Sequence, residues 1–226
     1  MDQPGLDPVE HHAALVGLGR INMLTRSASC FFPHIRRLAK QNPTRRFCIL
    51  DVACGGGDTV RAISRLGQRE GIDLEVHGCD ISSEALSLAR AKAKAEGLDA
   101  HFFQSNAIDA PLPGGYHLIT TSLFLHHLRE VDVEILLRSM AAATLDQILV
   151  HDLIRSHLDL MLTWLGTRLL SRSSIVHIDG PLSVGGAFQL DEVAQLAAAA
   201  GLVDAAITQF WPERFLLSWS GNAQVN

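Results

Sequence analysis

Ile49-Leu50-Asp51-Val52-Ala53-Cys54-Gly55-Gly56-Gly57-Asp58-Thr59-Val60 is the stretch on which the reading of this chain turns. An apolar run ends in a carboxylate, passes through consecutive glycines and leaves by Asp58-Thr59 into a helical pattern. That order describes a buried strand, a tight turn and a helix N-terminus, which together hold a nucleotide-like ligand against an α/β sheet. In a dinucleotide-binding Gly-x-Gly-x-x-Gly turn, the acidic residue lies about 20 residues downstream and reads a ribose. Here Asp51 already stands at the mouth of the strand, before the glycines. A carboxylate in that place suits a ligand that brings an ammonium group to the turn, not one that presents a pyrophosphate.

Outward from the turn, strand and helix patterns alternate. Cys48 to Leu50 reads as the first buried strand, and Asp58 or Thr59 caps a helix whose Val60, Ile63 and Leu66 share a face before Gly67. A second strand, Leu74 to Cys79, ends in Asp80. Ser82 or Ser83 then caps an Ala- and Leu-rich helix from about Glu84 to Glu96, closed by Gly97. His101 to Gln104, Tyr116 to Ser122 and Gln147 to His151 read as three more strands, with a helix over Val131 to Ala143. Such alternation implies right-handed crossovers and a mostly parallel sheet, on which ligands lie beyond the carboxyl ends of the strands. Asp51, Asp80, Asn106, Ser122 and Asp152 all fall at or just past those ends.

The flanks read differently. Pro8 to about Lys40 is helical, with Leu15, Leu18, Ile21 and Leu24 on one face, until Asn42-Pro43 breaks it. After Asp152, Leu158 to Leu170 reads as an inserted helix and Ser171 to Ala187 as an irregular stretch. A last helix, Asp191 to Ala200, precedes a closing hairpin, Val203–Phe210 and Phe215–Trp219, around Pro212. The expected division is a helical cap or lid over residues 1–42 and a ligand-binding domain over 43–226, with an insertion at about 156–188.

The 226 residues suffice for one domain with a helical elaboration and a substantial core. A hydrophobic fraction of 47% and a charged fraction of 19% belong to a globular protein. A net charge of −5 and a pI near 6.1 argue against a dedicated nucleic-acid binder. The longest apolar stretches are interrupted by charge and too short for stable membrane insertion, and no secretory leader is read at the N-terminus. Cys30, Cys48, Cys54 and Cys79 lack paired Cys-x-x-Cys spacing, so neither a zinc site nor a disulfide framework is expected, and reduced thiols in a cytoplasm are the plain reading.

The turn resembles motif I of the class I S-adenosylmethionine-dependent methyltransferases, (Asp/Glu)-x-Gly-x-Gly-x-Gly, with Ala53 in place of the first glycine. It is similar to the small-molecule branch that includes the ubiquinone and menaquinone biosynthesis methyltransferases, which often carries an Asp-x-Ala-x-Gly form. The resemblance covers about Arg46 to Asp152. It implies a Rossmann-like α/β fold: a mostly parallel seven-stranded sheet, an antiparallel C-terminal strand and a helical N-terminal cap. Ala53 is expected in an ordinary backbone region, leaving the strained positions to Gly55 and Gly57, because a Cβ makes positive φ costly.

The resemblance also assigns roles. With Asp51, Ala53, Gly55 and Gly57 forming the turn, Asp80 would accept both ribose hydroxyls in charge-assisted hydrogen bonds; the plainer reading is an N-cap for the next helix. Ile81 would flank the adenine. Asn106 and the amide of Ala107 would meet the adenine edge, with Asp109 the alternative carrier and a simple turn the bland one. Ser122 would lie under the methionine portion. In Ser122-Leu123-Phe124-Leu125-His126-His127-Leu128, adjacent histidines on a helical turn diverge by about 100°, so one of them would face the site. An imidazole there could take a phenol proton during transfer, or simply pack and hold the loop. Asp152 and Arg155 stand where groups facing the acceptor are common; the alternative is that they pair with each other and pin the inserted helix. Arg20 or Arg26 could reach the methionine carboxylate from the lid. Met161, Leu162, Trp164, Leu165 and Phe188 could line a greasy pocket. His177 and Asp179 lack a third ligand, so no metal site is expected.

The expected function is methyl transfer from S-adenosyl-L-methionine to a small, fairly apolar acceptor, an O-methylation of a phenolic, quinone or polyketide-type hydroxyl. The expected partner is that acceptor, not nucleic acid or membrane, and a homodimer is left open. Two rivals are an NAD(P)-dependent oxidoreductase, which the position of Asp51 opposes, and a non-catalytic cofactor-binding regulatory protein.

Overall fold

The computed structural model describes residues 27–41, 43–156 and 184–221. Most of the expected cap, with Arg20 and Arg26, lies outside the described residues, as do the inserted helix, its apolar residues Met161 to Leu165, and His177 and Asp179.

A short 3-10 turn, Ser27–Phe31, leads into α1 (Phe32–Gln41). Then come β1 (Phe47–Val52), α2 (Asp58–Glu70), β2 (Leu74–Asp80), α3 (Ser83–Ala95), β3 (Ala100–Gln104) and β4 (Tyr116–Ser122). The chain continues through a 3-10 turn at Leu125–His127, α4 (Glu130–Ala143), β5 (Thr144–Leu153), α5 (Leu190–Ala199), β6 (Ala206–Phe210) and β7 (Arg214–Ser220). The seven strands form one sheet in the order β3-β2-β1-β4-β5-β7-β6. The first five are mutually parallel, and β7 runs antiparallel to both β5 and β6. The order steps outward from β1 in both directions, so a crevice opens at the carboxyl ends of β1 and β4.

Strand alternation sorts the apolar side chains into two cores. Leu50, Val52, Ile119, Ile148, Val150, Phe215 and Leu217 pack on one face with α4 and α5. Ile49, Val76, Leu118, Leu149 and Leu216 pack on the other with α2, α3 and the Ser27–Phe31 turn. Successive residues point to opposite faces, so Ile148, Leu149 and Val150 are all fully buried although they serve different cores. This double coverage explains the continuous apolar runs of the central strands.

Several boundaries differ from the sequence reading. The helix after the glycine turn runs on to Glu70, because Gly67 is needed inside it: a Cβ there would stand 2.9 Å from Leu74 Cδ1. Neither Asp58 nor Thr59 caps that helix. Its N-cap is Gly57 in the left-handed region, and Asp58 turns to Arg61 and Lys92. Ser82 does cap α3, accepting from the Ala85 amide at 3.2 Å. β5 extends through Asp152, which places that carboxylate inside the sheet.

Candidate active site

The loop after β1 is built mainly from backbone. Cys54 N–H donates to Cys79 O at 2.9 Å, tying the end of β1 to β2, and Gly57 N–H returns to Cys54 O at 2.9 Å. Gly55 and Gly57 have φ of 50° and 73°, as expected. Ala53 does not take the ordinary conformation expected of it: its φ is 55°. The turn needs a left-handed residue at the first glycine position of the motif, and Ala53 supplies it at a cost of about 1–2 kcal/mol. At Gly57 no side chain fits, since a Cβ would meet Ala89 Cβ at 2.9 Å and Phe102 at 3.0 Å. At Gly55 a Cβ would meet nothing within 4 Å, so this side of the turn has room for a ligand.

Two carboxylates flank the turn. Asp51, 2% exposed, accepts a 2.7 Å hydrogen bond from Thr120 Oγ1 on β4. Burial raises its pKa to about 7; the Thr120 hydrogen bond opposes the shift and the charge of Asp80 adds to it. A cation arriving beside Asp51 would favour the ionised form. Asp80, the last residue of β2, accepts from Gly55 N–H at 2.8 Å and Ser82 N–H at 2.9 Å. A carboxylate offers about four lone-pair positions, so acceptor capacity remains for vicinal hydroxyls. Next to it Ile81 is 63% exposed, an apolar side chain held out beside the crevice.

Asn106 lies just past β3, but its side chain is engaged locally: Oδ1 accepts from Ile108 N–H at 3.1 Å and Nδ2 donates to Asp109 Oδ2 at 2.6 Å. In this arrangement Asn106 and Asp109 stabilise their own turn, and Ala107 is buried beneath it. Reading an adenine edge with the Asn106 side chain would require exchanging one of those bonds.

On the far side of the crevice, β4 and β5 carry a second constellation. Asp152 is 1% exposed and accepts from His126 Nδ1 at 2.6 Å, Leu153 N–H at 2.7 Å and Phe124 N–H at 3.0 Å. Burial alone would raise its pKa, but the His126 ring and the Leu153 amide outweigh that and hold it below the usual carboxylate range. Fixing Nδ1 as the donor leaves Nε2 of His126 as the ring atom that can receive a proton. His127 is exposed and stacks obliquely on His126, with ring centroids 4.1 Å apart, so the two histidines have separate roles. Leu123, between Ser122 and this turn, is held at φ 57°, a second strained residue at the crevice. Ala187 and Val184 close over it, and a Cβ on Gly186 would lie 2.5 Å from His126 O.

Ser122 Oγ lies 3.0 Å from His151 Nδ1. His151 is 1% exposed, stacked on Phe210, and burial drives its pKa down to about 4, so it is a neutral hydrogen-bonding partner. Arg155 does not pair with Asp152. It reaches Glu192 on α5 at 2.5 Å and the Ala187 carbonyl at 3.2 Å, because Asp152 is already satisfied by His126. Sequence reasoning missed Thr120, His151 and the strained Leu123. Only the polar run Thr120-Thr121-Ser122 at the end of an otherwise buried strand hinted at them.

Comparison with known proteins agrees with this geometry. Residues 49–146 match the family described as Methyltransferase domain. Demethylmenaquinone methyltransferase of Thermus thermophilus is 36% identical over 67 residues, which is 30% of this chain and 29% of that protein. The match thus spans less than a third of that relative. Among solved structures, the plantazolicin methyltransferase BpumL in complex with SAH has a TM-score of 0.69 at 17% identity, covering 96% of this chain and 91% of the other. Magnesium protoporphyrin IX methyltransferase from Synechocystis with bound SAH gives 0.59 at 14% identity, covering 97% and 90%. The S-adenosylmethionine-dependent methyltransferase SibL gives 0.59 at 17% identity over 84% of this chain, which spans about half of that protein (55%). The sheet order, the motif at Asp51–Gly57 and the family match agree: residues 49–146 match a methyltransferase domain, and the chain has the fold of the S-adenosylmethionine-dependent methyltransferase structures it resembles.

Proposed function

We propose that this protein transfers the methyl group of S-adenosylmethionine to a small, fairly apolar acceptor, through a phenolic, quinone or polyketide-type hydroxyl. The observation that carries the reading is the pair of carboxylates, Asp51 and Asp80, on the tips of neighbouring strands either side of a turn with open space at Gly55. Asp51 would meet the ammonium of the methionine portion, Asp80 the ribose hydroxyls and Ile81 a face of the adenine. Ser122, oriented by His151, would lie along the methionine portion.

The cofactor, when bound, supplies a methyl group already activated on a sulfonium. The chain therefore has to align a nucleophile, exclude water and manage one proton. His126 Nε2 is the group suited to take the hydroxyl proton. Asp152 holds its ring in one tautomer and stabilises the charge that develops, as a buried carboxylate does for a catalytic imidazole. The strained Leu123 and the Val184–Ala187 segment wall this side of the crevice with apolar surface.

Calorimetric titration with S-adenosylmethionine and its demethylated product, beside NAD and NADP, tests the first half. Binding of the nicotinamide nucleotides in preference would sink it. Transfer of radiolabelled methyl to a panel of phenols and hydroxyquinones tests the second: tight cofactor binding without turnover on any of them would point to a regulatory protein instead.

A further inference from the structure

The connection from β3 to β4, residues 105–115, contains no helix, so the outer part of one sheet face, over β2 and β3, is left partly open. Glu75 and His77 stand there on β2, alternating with Val76, which is buried in the opposite core. His101 on β3 is the direct cross-strand neighbour of His77. Parallel pairing and the two-residue repeat thus bring three ligand-type side chains onto one patch of sheet. Their donor atoms all lie within 4.8 Å of one another.

We propose that Glu75, His77 and His101 form a binding site for a divalent transition-metal ion, and that Zn²⁺ fits it. Two imidazoles and one carboxylate are a donor set this borderline ion takes, with water completing the tetrahedron on the open side. Glu75 Oε1 and His77 Nε2 are 3.1 Å apart, close to the ~3.3 Å edge of a tetrahedron with 2.0 Å bonds. His101 is exposed, so its ring can close the remaining gap by a rotamer adjustment.

The surroundings are those a metal-bound histidine uses. His77 Nδ1 lies 2.8 Å from the buried Tyr116 hydroxyl. With the ring proton on Nδ1 and donated to Tyr116 Oη, the Nε2 lone pair points at Glu75 and His101, the tautomer ligation requires. Glu75 divides its carboxylate: Oε1 faces His77, while Oε2 faces Arg46 Nε at 3.4 Å and Cys48 Sγ at 3.7 Å. The ion therefore displaces the contact between Glu75 and His77, together with the exposed contact of His101 Nε2 with Asp99 Oδ1 at 3.6 Å. The bland alternative is a solvated polar patch held by those same hydrogen bonds. It gives no reason for two cross-strand histidines and a carboxylate to hold their donor atoms within 4.8 Å of one another.

The test uses the full-length, untagged protein, stripped with chelator and titrated with Zn²⁺ by calorimetry and Co²⁺ by visible absorption. One equivalent of Zn²⁺ should bind and raise Tm, and Co²⁺ should give the intense absorption of a tetrahedral site. His101→Ala, at an exposed position, and Glu75→Gln, which keeps the side-chain shape, should each weaken binding by tenfold or more. Tyr116→Phe should weaken it about 10- to 100-fold by removing the acceptor for Nδ1. An absence of binding, or binding and Tm shifts that persist in both His101→Ala and Glu75→Gln, would overturn the proposal.

Discussion

The two sides of the crevice are built by different means. The β1–β2 side is largely backbone: left-handed residues at Ala53, Gly55 and Gly57, and peptide N–H groups aimed at Asp80. The β4–β5 side is largely side chain: Asp152 ties together His126, Phe124 and Leu153, while Ser122 meets His151. A backbone site is fixed by local chain geometry and recognises a constant ligand. A side-chain site depends on tertiary packing and can be retuned for different acceptors. Under the proposed function the first suits the cofactor and the second the acceptor.

The strongest test of that division acts on the side-chain half. His126→Ala should lower turnover by about 10²–10⁴-fold, the usual worth of a positioned acid–base group, with cofactor affinity unchanged. Asp152→Asn should reproduce much of that loss, since an amide can accept from Nδ1 but cannot stabilise an imidazolium with a full charge. Full turnover in both variants would leave His126 as a packing residue and move the proton to solvent. The reciprocal experiment acts on the other half. Asp80→Ala should weaken cofactor binding by about 2–3 kcal/mol, on the order of 10²-fold, since it removes charge-assisted acceptors and strands the Gly55 amide. Unchanged affinity by calorimetry would discard the ribose role.

Asp51 makes a pH-dependent prediction on the same side. Its pKa lies near 7 before a cation arrives, so below that pH the carboxyl must lose a proton for the ammonium to pair with it. Cofactor affinity should fall by up to about tenfold per pH unit below 7 and level off above it. Stability runs the other way. Between an unfolded value near 4 and the folded value near 7, the folded state holds the extra proton, so stability falls as pH rises through that window. Asp51→Asn should therefore raise Tm at pH 8 while flattening and weakening cofactor binding. A wild-type affinity that is flat from pH 5.5 to 8 would remove the ammonium contact.

The same contrast explains what the sequence disclosed. Asp51, the glycine turn, Asp80 and the strand pattern were legible because they are set by residues close together in the chain. Ile49, Leu50 and Val52 announce a strand, Ser82 announces a helix start, and the glycines announce the turn between. The partnership of His126 with Asp152 was not legible, because it joins residues 26 positions apart across two loops. The sequence singles out both residues, but the only partner it offers Asp152 is the nearby Arg155, as an alternative to an acceptor-facing role, and Arg155 pairs instead with Glu192, 37 positions away. Thr120 and His151 were hard to read for the same reason: beyond the polar run at the end of β4, nothing local marks a buried threonine or histidine as the partner of Asp51 or Ser122.

Ala53 is where local reasoning failed inside the legible half, and it yields the finest prediction. A Cβ disfavours positive φ, which argues for an ordinary conformation at Ala53, yet the strand pairing of Val52 fixes the chain before it and hydrogen bonds from Cys54 to Cys79 and from Gly57 to Cys54 fix it after. The strain is then borne by the residue. Ala53→Gly should relieve about 1–2 kcal/mol of left-handed strain and give back roughly 0.4–1 kcal/mol in unfolded-state entropy. The net effect is a stabilisation of between about 0 and 1.6 kcal/mol, readable as a Tm rise of a few degrees or less. Gly57→Ala should do the opposite, since there the new Cβ meets Ala89 and Phe102 at about 3 Å as well as a positive φ. If Ala53→Gly instead lowered Tm while leaving the turn intact, the alanine methyl would be making packing contacts worth more than the strain, and the turn would not be the backbone-determined element argued for above.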